Sequence, residues 1–257
     1  MQMHVLTKLG TRVRRPWRVR QLRSLVDVDD TGLVKLGSAR GGWIVPTSAL
    51  HSGGTAICVG AGEDITFDVE LNKRGFNIFT LDPTPRAKEH VAHVLDAAKA
   101  GSPMAIDNSL SEFYDLQGFE ERRFTFADVG VWNQDTSMRF FAPKNQNDVS
   151  HSIVNLQSTD AWFEAKCVML RTFCDEHKIS QIDILKLDIE GSEYAVLRNI
   201  VKKGPWPKIL CVEFDEIRNP VDNSLMERIQ STLDLLGGFG YRFRHIENSN
   251  ALFVRQT

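Results

Sequence analysis

IDILKLDIEGSEY, residues Ile182 to Tyr194, is a short apolar run that ends abruptly in acid, glycine and the start of a helix. It reads as a buried strand delivering carboxylates to a sheet edge. Side chains alternate along a strand, so Lys186, Asp188 and, where extended geometry continues, Glu190 project the same way. A buried parallel strand tolerates such charge only at its carboxyl end, and open α/β sheets bind ligands beyond that end. Gly191 permits a tight turn, and Ser192 is placed to cap a helix that begins with Glu193.

Working outward, KILCVEF (Lys208 to Phe214) is the next buried strand, and it too ends in acids: Glu213, then Asp215 and Glu216. Upstream, TAICVGAGEDITFDVEL from Thr55 gives a small apolar strand, a Gly-Ala-Gly turn, two acids and a helical pattern through Ile65, Val69 and Leu71. NIFTL (Asn77 to Leu81) is a second buried strand. Asp82 follows it, with Pro83 and Pro85 opening a helix through about Ala98. Asp82 lies 22 residues after Gly60, the placement at which a carboxylate holds a ribose diol.

The turn itself discriminates between cofactors. Gly60, Ala61 and Gly62 begin a dinucleotide fingerprint, but its third glycine would fall at Ile65. Glu63 and Asp64 occupy positions where a pyrophosphate needs uncharged backbone amides. NAD and FAD are therefore disfavoured. A donor with a ribose, no phosphate and positive charge suits an acidic loop, and S-adenosylmethionine has a sulfonium, an ammonium and an adenosine diol. The two acids also complement the positive end of the helix dipole.

Other segments complete an α/β order. Leu33 to Leu36 and Gly42 to Val45 read as a hairpin around Gly41-Gly42, with Trp43 as a core aromatic that gains a second role should the site lie near. Residues 100 to 120 read as helix and loop. RFTFAD ends a third strand at Asp128, followed by Val129, where an adenine base would be edged. Met138 to Phe141 is β-prone and leads into the polar loop PKNQNDVSHSIVN, which carries His151. Trp162 to Leu170 reads as a strand and Arg171 to Lys178 as a helix. Leu225 to Leu236 is an amphipathic helix stopped by Gly237-Gly238, and Tyr241 to Ile246 with Ala251 to Val254 is a terminal hairpin.

At 257 residues, 42% hydrophobic and 25% charged, the chain has the composition of a soluble globular protein. Its net charge of -2 gives no global attraction to nucleic acid. Seven of the 31 basic residues fall in the first 25 positions with no acid, leaving 24 basic against 33 acidic residues, or -9, in the remainder. The expected organisation is a basic N-terminal arm and hairpin over residues 1–50 and a main domain over 51–257. The arm, with Trp17 and Pro16, is read as a solvated segment, with peripheral contact to an anionic membrane surface, a phosphate-bearing substrate or a partner subunit as its functional alternative. Cys58, Cys167, Cys174 and Cys211 lack CxxC spacing and read as reduced core residues, and no membrane span or signal peptide is expected, so the chain is placed in the cytoplasm.

The order from residue 55 to the end resembles the class I methyltransferase fold, a Rossmann-like, mostly parallel seven-stranded sheet with one antiparallel strand from a C-terminal hairpin. The motifs KLDIEGSEYAVL (Lys186 to Leu197), VGAGEDITFD and LDPTP are similar to those of the FkbM family of methyltransferases. That resemblance covers about 200 residues, beyond residues 1 to 40. It implies S-adenosylmethionine-dependent methylation, most often of a hydroxyl on a sugar or polyketide. By position it implies that Gly60, Ala61, Gly62, Glu63 and Asp64 contact the methionine part, Asp82 with Pro83 the ribose, and Asp128 with Val129 the adenine. Many relatives have a histidine in a Glu-x-His arrangement after the fifth strand, where this chain has Asp215.

Methyl transfer to a hydroxyl requires alignment and removal of a proton. Asp188 is the first candidate as base or acceptor-orienting group, with His151 second, and Glu190 and Glu213 shape the acceptor pocket. A divalent cation held by Asp188 and Asp215 is the competing solution, its further ligand not identifiable from spacing. Two other classes stay in view: a non-catalytic binding module whose basic arm contacts nucleic acid or membrane, and an NAD-dependent oxidoreductase. The expected partner is a small-molecule or glycan acceptor chosen by loops such as residues 143 to 160, with no nucleic acid, and an oligomer is open.

Overall fold

A computed structural model describes residues 17–27, 32–106, 112–141, 160–218 and 220–256. Five apolar runs form the parallel part of a seven-stranded sheet: β3 (Thr55–Val59), β4 (Asn77–Leu81), β5 (Phe124–Ala127), β9 (Ile184–Leu187) and β10 (Ile209–Glu213). The terminal hairpin, β11 (Tyr241–Glu247) and β12 (Asn250–Arg255), completes it in the order β11-β12-β10-β9-β3-β4-β5, with β12 antiparallel to both neighbours. This is the strand order of the class I methyltransferase fold, with the antiparallel strand where the sequence placed it.

Both faces of the sheet are covered, which is why its strands read as nearly unbroken apolar runs. Ile57, Val59, Leu185, Leu187, Leu210 and Val212 point to one side, where they meet a helix over residues 17–23 (α1), α4 (Leu170–Glu176), α5 (Glu193–Lys203) and α6 (Leu225–Gly238). Ala56, Cys58, Ile184, Ile209 and Cys211 point to the other, where they meet α2 (Thr66–Lys73) and α3 (Pro85–Ala100). The hairpin β1 (Leu33–Leu36) and β2 (Trp43–Pro46) joins this second core through Leu36, Trp43 and Val45. Each such fully buried aliphatic or aromatic side chain contributes roughly 1.5–3 kcal/mol. The four cysteines are buried and free.

Several local expectations need correction. Met138–Phe141 and Trp162–Leu170 are strands as read, but the second stops at Val168 and Leu170 already opens α4. They lie in β7 (Thr136–Phe141) and β8 (Trp162–Val168), which form a three-stranded sheet with β6 (Gly130–Val131). Gly237 and Gly238 continue α6 rather than stop it, and the chain turns at Gly240, whose φ is 84°. The described part of residues 100–120 is a loop with an isolated bridge between Ala105 and Phe113, because α3 ends at Gly101 in a left-handed cap. Residues 1–16 and residues 142–159, including His151, lie outside the described residues. No helix of the described chain is long and apolar enough to cross a membrane.

Candidate active site

A cleft of about 390 Å³ opens beyond the carboxyl ends of β3, β4, β9 and β10. That is a size suited to one small cofactor and part of an acceptor. The Gly60 turn and Asp82 line one part, and Lys186, Asp188, Glu190, Glu213 and Arg218 line another.

At the turn, Gly60 has φ 87°, and a Cβ there would collide with the carbonyl oxygen of Asp188, so only glycine lets β3 end against β9. Asp82 is buried and organises the loop above it. Its Oδ2 accepts the N–H groups of Ala61 at 2.8 Å and Gly62 at 3.1 Å, while Oδ1 accepts from the N–H of Thr84 at 2.8 Å and its hydroxyl at 2.6 Å. A carboxylate offers about four acceptor positions, so this one is fully engaged within the protein. The two loop acids are engaged as well. Glu63 pairs with Arg86 at 2.7 Å. Asp64 accepts from the Ser38 hydroxyl at 2.5 Å and from the N–H and hydroxyl of Thr66, which clamps the β1–β2 turn onto the start of α2.

Directly beside the Gly60 turn, β9 ends at Leu187 and its alternation carries Lys186 and Asp188 into the site, with Nζ to Oδ2 at 3.5 Å. Lys186 is only 4% exposed, and its ammonium donates to the carbonyl of Gly60. Burial would depress its pKa, but the charges of Asp188 and Asp68 reverse the effect and hold it above the ordinary lysine value. Extended geometry stops at Glu190, whose φ is 52°. Even so, Glu190 lines the cleft. Ser192 occupies the cap position of α5 without a capping hydrogen bond. Glu193 reaches back into the preceding loop, accepting from the N–H groups of Ile189 at 3.2 Å and Gly191 at 3.1 Å.

The acids at the end of β10 share this space. Glu213 accepts from the buried Ser249 hydroxyl at 2.8 Å and pairs with Arg218 at 2.7 Å. Burial, then the charge and hydrogen bond of Asp188, raise its pKa, and Arg218 and the Ser249 hydroxyl oppose the shift. Burial and the neighbouring Glu190, Glu193, Glu213 and Asp188 also push Asp215 upward. Oxygens of Asp188, Glu190 and Asp215 lie within 4.8 Å of one another, and Asp215 Oδ2 is buried with no hydrogen-bond partner among the described residues.

Against this geometry, the methyltransferase FkbM domain model matches residues 58–243. The chain belongs to the FkbM methyltransferase family. Comparison with curated protein sequences finds no significant match. Similar solved structures include a precorrin-6y C5,15-methyltransferase from Geobacter metallireducens, 9% identical over 91% of this chain and 98% of that one, with a TM-score of 0.42. They also include a TehB-like SAM-dependent methyltransferase from Corynebacterium glutamicum, 12% identical over 82% and 84%, at 0.36. Magnesium protoporphyrin IX methyltransferase from Synechocystis PCC 6803, determined with bound SAM, is 9% identical over 98% and 81%, at 0.39. The assignment rests on the family match and the strand order, and it makes this methyltransferase dependent on S-adenosylmethionine.

In this methyltransferase the cleft gathers Gly60, Ala61, Gly62, Glu63, Asp64, Asp82, Pro83, Asp188, Glu190 and Glu213. Asp128 and Val129 are not among its lining residues. Asp128 faces out and pairs with Lys88 at 2.8 Å, and the lining continues instead with Gly130, Val131 and Trp132. Sequence reasoning missed Ser38, Arg40 and Gly41 of the β1–β2 turn, and also Met138, Phe140 and Cys167 of the small sheet. The Gly41-Gly42 pair was the available signal for the first group. For the second there was none, since β6, β7 and β8 pair over long separations.

Proposed function

We propose that this chain is an O-methyltransferase that moves a methyl group from S-adenosylmethionine to a hydroxyl of a sugar, glycolipid or polyketide-type acceptor. The observation that carries the reading is Asp188, a carboxylate at the end of β9 that lines the same cleft as the Gly60 turn. S-adenosylmethionine supplies a methyl group on a positively charged sulfur. The residues present suit it: a glycine turn with close backbone approach, acids at Glu63 and Asp64, and an apolar wall of Leu81, Pro83, Val131 and Phe140 for a flat base. Asp82 would serve the ribose side through the Ala61–Gly62 turn that it holds, or by releasing one of its four internal bonds.

On the acceptor side, Asp188 takes the proton of the hydroxyl as attack develops. Lys186 and Glu213 flank it and fix its orientation, and Arg218 keeps Glu213 in place. Methyl-transfer assays over glycan, glycolipid and natural-product acceptors test the reading. Labelling only of a nitrogen or carbon acceptor would contradict it.

A second reading has its own observation. Asp188, Glu190 and Asp215 present three oxygens close enough for one hard cation, and Glu190 would be its further ligand. A cation held there would acidify a bound hydroxyl in place of a base.

A further inference from the structure

Lys186 is costly to bury, and a packing position on β9 would carry an aliphatic side chain, as Ile184 does. Its register partners are Cys58 on β3 and Cys211 on β10, so it stands on the sheet face covered by α2. From there its ammonium reaches Gly60, whose carbonyl it takes as acceptor, and lies 3.5 Å from Asp188 Oδ2. The Trp43 ring, brought by the β1–β2 hairpin, has its centroid 5.8 Å from Nζ. Asp68 of α2 is 2% exposed, accepts from the Thr80 hydroxyl at 2.5 Å and lies on the same face. One buried cation thus bridges the glycine turn on one strand and the carboxylate at the end of the next. A compact ammonium suits that role better than a planar guanidinium.

We infer that Lys186 is a positioning residue for the donor: it locks the Gly60 turn in its binding shape and ties that turn to the acceptor-side carboxylate of Asp188. This rests on the reading of the Gly60 turn as the S-adenosylmethionine loop. The distance between donor and acceptor is then set by one side chain, and small errors in such a distance are expensive for in-line transfer.

The test is calorimetry with S-adenosylhomocysteine on the wild type, Lys186→Met and Lys186→Gln. Methionine removes the donor to Gly60, whereas glutamine keeps an N–H for it without the charge. The expected result is affinity at least tenfold weaker in K186M and within threefold of wild type in K186Q, with both melting below the wild type. Equal weakening in both variants, or in neither, overturns the inference. Should K186M fail to fold, ¹⁵N-lysine labelling of the wild type decides. A slowly exchanging Lys186 ammonium signal, assigned by its loss in K186Q, is expected to shift on addition of S-adenosylhomocysteine, and an absent or unmoved signal overturns the inference. If S-adenosylhomocysteine does not bind the wild type, the donor assignment falls and this inference with it.

Discussion

Asp82 Oδ2 accepts the backbone N–H of Ala61 at 2.8 Å, so the residue expected to grip a ribose is first of all the anchor of the loop beside it. Hydrogen bonds to a charged group contribute about 1.5–3 kcal/mol each, and Asp82 accepts several. Asp82→Ala is predicted to cost about 2–4 kcal/mol of stability and to weaken S-adenosylhomocysteine binding more than tenfold. Thermal melts and calorimetry check both. A variant with wild-type melting and weakened binding would assign Asp82 to direct ligand contact alone.

The two glycines of the turn differ in what a methyl group would meet. At Gly60 it collides with the Asp188 carbonyl, whereas at Gly62, with φ 52°, it meets open space. Gly60→Ala is expected to abolish S-adenosylhomocysteine binding and lower the melting temperature sharply. Gly62→Ala carries only the left-handed penalty, about 1–2 kcal/mol. Equal effects would mean that the close approach of β3 to β9 is not what Gly60 provides.

His90 gives the chain an acid limb. Tyr114 Oη accepts the Ile65 N–H at 2.9 Å and lies 2.8 Å from His90 Nε2, so the His90 ring is held in a partly buried hydrogen-bonded pair. Burial holds the His90 pKa below its ordinary 6.5. The unfolded chain then takes up the proton more readily than the folded one. Stability is full above about pH 6.5 and falls as pH drops from there through the lower folded value. His90→Gln is predicted to flatten the melting-temperature profile between pH 7 and 5; an unchanged acid limb would point to other groups.

The base and metal readings separate cleanly. With Asp188 as base, turnover survives exhaustive EDTA treatment. Loss on EDTA with recovery on added magnesium would instead favour a cation at Asp188, Glu190 and Asp215.

Much of this architecture was legible because burial on both faces writes parallel strands as apolar runs. IDILKL, KILCVEF, TAICV and NIFTL fall in the central strands β9, β10, β3 and β4. The carboxyl-end acids followed from the same logic, since charge is tolerated only where a strand leaves the core. What was not legible depended on partners distant in sequence. Gly130 and Val131 pair with Cys167 and Val168, so the third strand's continuation turns into a second sheet and carries the cleft lining past Asp128. Ser192 looked like a cap by type, but Glu193 reached back to the same loop with a longer arm. Asp64 read as a charge awaiting a cation, yet Ser38, 26 residues earlier, had already engaged it.

The central claim is that Asp188 serves the methyl acceptor and not the donor. Tritiated-methyl transfer to a panel of glycan, glycolipid and polyketide acceptors, run on the wild type and Asp188→Asn alongside S-adenosylhomocysteine calorimetry, tests it most directly. The account predicts labelling of a hydroxyl by the wild type. In the variant it predicts cofactor affinity within a few fold and a turnover loss of about 10²–10⁴-fold, the range of a general base. An Asp188→Asn enzyme that methylates at the wild-type rate would contradict it.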